Sequence, residues 1–185
     1  MNKLLMVIDM QNDFIDGSLG TKEAAAILPR VAAKIKEYQA NGDEILFTMD
    51  THFDHYLDTQ EGKKLPVPHC IKGTKGWELA PALREIISGY EYPFYEKFTF
   101  GSSALALAFS RGDYSHITHI TLVGLCTDIC VISNALLAKT FLPEVPITVD
   151  ASCCAGVTPD SHENALKAME MCQIQIQRDS FGFLR

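Results

Sequence analysis

Residues 116–130 read HITHITLVGLCTDIC. An apolar, β-branched run through Val123 stops at Gly124, passes through a short polar turn, and reaches Cys130 in a segment of helical spacing from Asp128 to Lys139. A strand bounded by glycine and followed at once by a helix is one half of a βαβ unit, the repeating piece of a parallel sheet.

The same alternation extends in both directions. Short runs rich in Val, Ile and Leu predict strands at Lys3–Ile8, Glu44–Met49, Tyr92–Glu96, His116–Val123, Pro146–Val149 and Ile174–Gln177. Between them, 3.6-residue periodicity predicts helices at Lys22–Ala40, Glu78–Ser88, Ser102–Arg111, Asp128–Lys139 and Pro159–Met171. Asn41-Gly42 suits a left-handed stop, Ser102 or Ser103 an N-cap, and Thr158-Pro159 a capping hydroxyl before a first-turn proline. The expected fold is α/β, a mostly parallel sheet of about six strands with helices on both faces. At 185 residues, one domain spanning 1–185 is expected. Thr51 to Trp77 is the one long irregular stretch, and its Pro, His and Gly content favours an ordered functional loop.

A net charge of -7 and the lack of any Lys/Arg cluster argue against nucleic acid as a partner. The first apolar run is too short for a secretory or membrane-spanning segment, so no membrane association and a cytoplasmic location are expected. The six cysteines lie in apolar or helical contexts and read as free thiols. No GxGxxG follows the first strand and no P-loop is present, which sets aside dinucleotide and nucleoside-triphosphate chemistry.

In an open parallel sheet, ligands bind beyond the carboxyl ends of the strands. Asp9, Asp50 with His52, Lys97 and Cys130 all fall on that rim. Near a helix start, Cys130 is placed for its thiol to lose its proton more readily, while its other reading is a small buried apolar side chain. Cys126 shares the turn and reads as a donor of a backbone N–H beside that of Cys130, an oxyanion hole. A Cys126/Cys130 metal or redox pair is the alternative, although x3 spacing fits neither pattern well. Asp9 emerges from an uninterrupted apolar strand, a place for a proton acceptor or, otherwise, a turn cap. Lys97 is weak evidence alone, yet beside a thiolate and a carboxylate it would stabilise both.

Asp50 and His52, two apart in an extended segment, point to the same side, and His69 in the long loop can supply a third ligand for a divalent metal. His55 competes for that role. His116, His119 and His162 read as surface or structural residues.

The segments VIDMQNDF (7–14), FTMDTH (47–52), PHCIKGTKGWEL (68–79), YEKFTFGSS (95–103), VGLCTDICV (123–131) and DASCCAG (150–156) together resemble the isochorismatase-like cysteine hydrolases, and within them the nicotinamidases. The resemblance covers essentially the whole chain. It implies a doubly wound sheet of order 3-2-1-4-5-6, an Asp9-Lys97-Cys130 triad, and a cis Leu125–Cys126 peptide that aims the amides of Cys126 and Cys130. It also implies zinc or a similar divalent ion on Asp50, His52 and His69, Phe14 as an aromatic wall of the substrate pocket, and a homo-oligomer.

The activity implied is hydrolysis of a small-molecule amide, nicotinamide to nicotinate and ammonia through a thioester. Pro66 stands where such enzymes commonly carry a tryptophan, so ring stacking is expected from elsewhere, with Trp77 or Tyr95 as candidates. The rival within the fold is a hydrolase of N-carbamoyl, ureido or isochorismate-like substrates. The rival from another class is a non-catalytic thiol or metal-binding redox sensor.

Overall fold

The structure, a computed structural model, describes residues 2–178. Six strands, β1 (Lys3–Ile8), β2 (Glu44–Asp50), β3 (Phe94–Lys97), β4 (His119–Leu125), β5 (Ile147–Ala155) and β6 (Gln175–Gln177), form one sheet of order β3-β2-β1-β4-β5-β6. Every pairing is parallel. The helices are α1 (Asn12–Ile15), α2 (Lys22–Asn41), α3 (Gln60–Lys64), α4 (Pro81–Ile86), α5 (Ser103–Arg111), α6 (Ile132–Phe141) and α7 (Pro159–Met171).

Strand β1 shows why the sheet is covered on both faces. Its side chains alternate between two layers, Leu4, Met6 and Ile8 packing with α5, α6 and α7, and Leu5 and Val7 packing with α1, α2 and α4. All five are 0% exposed, the mark of a strand buried on both sides. The caps are those expected: Gly42 at φ 68°, Ser102 accepting from Leu105 N–H, and Thr158 with Ser161 closing a capping box ahead of Pro159.

Several boundaries differ from expectation. Strand β5 runs on to Ala155, because the Asp150 carboxylate accepts from the Ser152 N–H and hydroxyl and builds an irregularity into the strand. Its register with β4 passes from Leu122–Val149 to Gly124–Cys154, leaving Val123 opposite the segment from Asp150 to Cys153. Strand β4 starts at His119, not His116, and helix α4 is shorter than the expected 78–88. The helix expected from Asp128 begins as a π-helical turn, Thr127–Val131, before α6. The stretch read as irregular holds a 3-10 turn, Tyr56–Asp58, and α3.

Gly124 lies at φ 119°, and a Cβ there would stand 2.1 Å from the Ile8 carbonyl oxygen. Only glycine lets β4 approach β1 this closely, and the approach brings the turn bearing Cys130 beside the end of the strand bearing Asp9.

Candidate active site

Asp9 follows β1 at φ 46°, a left-handed conformation that swings the chain off the sheet and leaves its carboxyl at the rim. Lys97 ends β3, Asp50 ends β2, and Cys130 sits in the π-helical turn after β4. The four meet at one point. Lys97 Nζ lies 2.7 Å from Asp9 Oδ2 and 2.9 Å from Asp50 Oδ1, and it donates to Cys130 Sγ at 3.3 Å and to the Thr99 carbonyl at 3.2 Å. The side chains of Lys97 and Asp9 are fully buried. Thr48, which sequence reasoning passed over, donates its hydroxyl to Asp9 Oδ1 at 2.7 Å.

The electrostatics follow from burial and this crowding. Burial disfavours charge on Lys97, but Asp9, Cys130 and Asp50 outweigh it and hold its pKa well above the ordinary value. Burial raises the Asp9 pKa, with Lys97 pulling against it. Burial likewise drives the Cys130 thiol well above its usual range, offset in part by Lys97 and reinforced by Asp9 and Asp50. The direction is opposite to the one expected from a helix start, because desolvation is the largest influence on this thiol and Lys97 only partly offsets it. The Cys126 thiol is pushed up to about 12, again chiefly by burial.

Asp50, His52 and His69 are buried and present ligand atoms that all lie within 4.8 Å of one another. Asp50 Oδ2 is 3.0 Å from His52 Nε2 and 3.5 Å from His69 Nε2. Ligand bonds of about 2.0–2.2 Å in a tetrahedral zinc site place donor atoms roughly 3.4 Å apart, so the spacing fits such an ion. The Val67 carbonyl bonds His69 Nδ1 at 2.8 Å, which turns Nε2 toward the cluster. Glu61 on α3, absent from the sequence reading, brings Oε1 to 3.7 Å from His52 Nε2 and 3.9 Å from His69 Nε2. Although burial opposes it, His52, His69 and Lys97 hold the Asp50 carboxyl well below the carboxylate range. His55 is exposed and stacks on Phe53, outside this cluster.

A cavity of about 250 Å³ opens beside these groups, lined by Phe14, Leu65, His69, Phe100, Cys126 and Cys130 among others. The Phe14 ring lies 5.5 Å from the His69 ring. Leu65, not Pro66, faces the cavity, and Phe100 supplies the second aromatic. Trp77 donates to Thr51 Oγ1 and Tyr95 pairs with Tyr114, so neither of the aromatics expected to help reaches it. The Leu125–Cys126 peptide is cis, and Ile129 and Val131 N–H both donate to the Cys126 carbonyl, which wraps the turn around Cys130. All six cysteines are free thiols. His116 pairs with Glu44, His119 with Thr148 and His162 with Thr127, each away from the cavity lining.

This arrangement has counterparts. An isochorismatase family protein of Bacillus subtilis is 30% identical over 173 residues, covering 90% of this chain and 93% of that protein. The crystal structure of a pyrazinamidase/nicotinamidase from Streptococcus mutans UA159 superimposes with a TM-score of 0.81 at 30% identity, covering 95% of this chain and 99% of that one. A pyrazinamidase of Pyrococcus horikoshii in complex with zinc gives a TM-score of 0.77 at 25% identity over 96% and 100% of the two chains. The isochorismatase domain description matches residues 3–180. With that span matched and the sheet order, the cis bond and the rim cluster in place, the chain belongs to the isochorismatase family.

Proposed function

We propose that this protein is a cysteine-dependent amidohydrolase that converts nicotinamide to nicotinate and ammonia. The observation that carries the reading is a single buried ammonium, Lys97, contacting a carboxylate that can take a proton and a thiol that can attack, beside an apolar, aromatic cavity. The similar S. mutans structure is of a pyrazinamidase/nicotinamidase.

Asp9 takes the Cys130 proton as the sulfur adds to the amide carbonyl, and the oxyanion is received by the N–H groups of Cys126 and Cys130. Asp9 returns that proton to the departing amine, ammonia leaves, and a thioester remains on Cys130. Asp9 then draws a proton from water, which adds to the thioester carbonyl, and collapse releases the acid while the thiol regains its proton. Lys97 offsets whichever anion is present at each stage, so the buried charge never stands alone. Asp50, His52 and His69, with Glu61 beside them, fit a divalent ion such as zinc, which supplies Lewis-acid polarisation at the cavity wall.

Phe14 and Phe100 are the aromatic walls for the substrate ring. Among the described residues lining the cavity there is no lysine or arginine, which favours a neutral ring amide over carboxylate-bearing carbamoyl or isochorismate-like substrates. Among the described residues no helix is long and apolar enough to cross a membrane. The reading includes residues 1–185 as one catalytic domain, a homo-oligomer, and work in the cytoplasm. The test is ammonia release from nicotinamide by wild type and Cys130→Ala. Activity in wild type and a loss of about 10⁴-fold or more in the variant are expected, and retained activity in the variant overturns the assignment.

A further inference from the structure

The β1–β2 ladder is cut short where the site begins. Its last pair is Ile8–Thr48, after which Asp9 enters its left-handed conformation and the chain turns away. Met10 O then accepts from Ala80 N–H, and Gln11 forms an isolated antiparallel bridge with Leu79. The Asp9 N–H still reaches the Thr48 carbonyl of β2 at 3.3 Å, but the Asp9 carbonyl accepts from Gln11 N–H, so the backbone does not carry the ladder on to Asp50.

The Gln11 side chain does so instead. Its Oε1 accepts from Asp50 N–H at 2.8 Å, and its Nε2 donates to the Asp50 carbonyl at 2.9 Å and to the Trp77 carbonyl at 2.8 Å. A primary amide used this way copies a peptide unit, one acceptor and one donor spaced to meet both polar groups of a facing residue. Gln11 is 0% exposed, so no water replaces these bonds if they are lost. On its other flank Asp50 is registered with Lys97 of β3, and the following Thr51 N–H donates to the Lys97 carbonyl.

We infer that Gln11 is a positioning residue: its amide stands in for the missing strand backbone and fixes Asp50 between Asp9 on one side and Lys97 on the other. Through Asp50 Oδ2 it sets the ligand cluster with His52 and His69, and through Asp50 Oδ1 it sets where Lys97 stands against Cys130. The bond to Trp77 fastens the end of the segment bearing His69 to the same point. The inference deepens the proposed function and rests on its reading of Asp50 as a ligand.

The experiment compares wild type, Gln11→Met and, as a control, Gln39→Met, which removes a glutamine bound to Ile86 O and Tyr92 away from the site. Each protein is stripped with chelator, titrated with zinc ion by calorimetry, and labelled with iodoacetamide while the Cys130 peptide is followed by mass spectrometry. In Gln11→Met, zinc affinity is expected to fall about 10- to 100-fold, as for loss of an orienting partner behind a ligand, and Cys130 labelling at least about threefold. Gln39→Met is expected to match wild type in both.

A folded Gln11→Met with wild-type zinc affinity and wild-type labelling overturns the inference even if its melting temperature drops, because that result describes a residue that holds the fold alone. If Gln11→Met does not fold, Gln11→Glu, which keeps the acceptor for Asp50 N–H, is judged by the same two readouts. Failure of both to fold also overturns it. If wild type takes up no zinc, the metal reading in the proposed function falls, and the Cys130 labelling rate decides the inference by itself.

Discussion

Two buried lysines stand in different parts of this fold. Lys97 at the end of β3 has a fully buried side chain, and its carboxylate partners Asp9 and Asp50 are buried with it. Lys34 on α2 is 9% exposed at its side chain, and it pairs with buried Asp150 at 3.3 Å and with Glu37, 57% exposed, at 3.1 Å. Both are lysines with two carboxylates, yet one centre has chemistry to offer. Glu37 reaches water, and the thiol beside the Lys34 cluster, Cys153, is pushed up to about 12 chiefly by burial and lies outside the apolar cavity lining, so that cluster has no nucleophile facing a substrate space. Around Lys97 two carboxylates, a thiol and an apolar cavity crowd one cation, and a proton can move among them with little net change in charge. Burial of an ion pair does not mark an active site. The mark is a pair whose partners include a group that can leave the balance.

That contrast can be broken in stages. Lys97→Met is expected to lower the turnover number by about 10³-fold, since the anions of every step lose their counter-charge, with circular dichroism used to check the fold. Chelation is expected to reduce turnover by about 10²-fold, reversible by zinc or manganese, and to lower the melting temperature of wild type and of a Lys34 variant by the same amount, because the Lys34 cluster takes no part in holding the ion. Thr48→Val, which removes the 2.7 Å bond to Asp9 while keeping the shape of the side chain, is expected to cost about tenfold in turnover.

At the far end of the series, Lys34→Met is expected to destabilise the protein by about 3 kcal/mol in urea unfolding and to change turnover by less than about twofold. A Lys34→Met protein with normal stability and impaired turnover would reverse the distinction between the two centres.

The sequence made the Lys97 region more legible than its supports. Leu4 to Ile8 reads as a strand buried on both faces, and Asp9 ends it, so the rim position followed directly. Asp50 and His52 declare themselves by their two-residue spacing, and the structure brings both together with His69. Glu61 was hidden because a five-residue helix is too short to show periodicity inside an irregular stretch.

Thr48 and Gln11 were hidden for another reason. A polar side chain that bonds a neighbouring strand has no repeat in sequence, and its partner lies 39 residues away in both cases. Strand β5 looked short because Asp150 and Ser152 read as the end of an apolar run, although their mutual bonds are what shape the strand there. The thiol of Cys130 was read from its helix-start position, where a local rule favours the anion. Burial of Cys130 within the cavity lining pushes the thiol the other way, and that burial is a property of the fold and not of the neighbouring residues.

In the proposed reaction Cys130, relayed through Asp9 and balanced by Lys97, forms a bond to the substrate carbonyl. Acid quenching of the enzyme during turnover of nicotinamide, followed by peptide mass spectrometry, tests it most directly. An acyl adduct is expected on Cys130, absent from Cys126 and absent in Cys130→Ala. Full turnover with no adduct on Cys130, or an adduct on another cysteine, would contradict it.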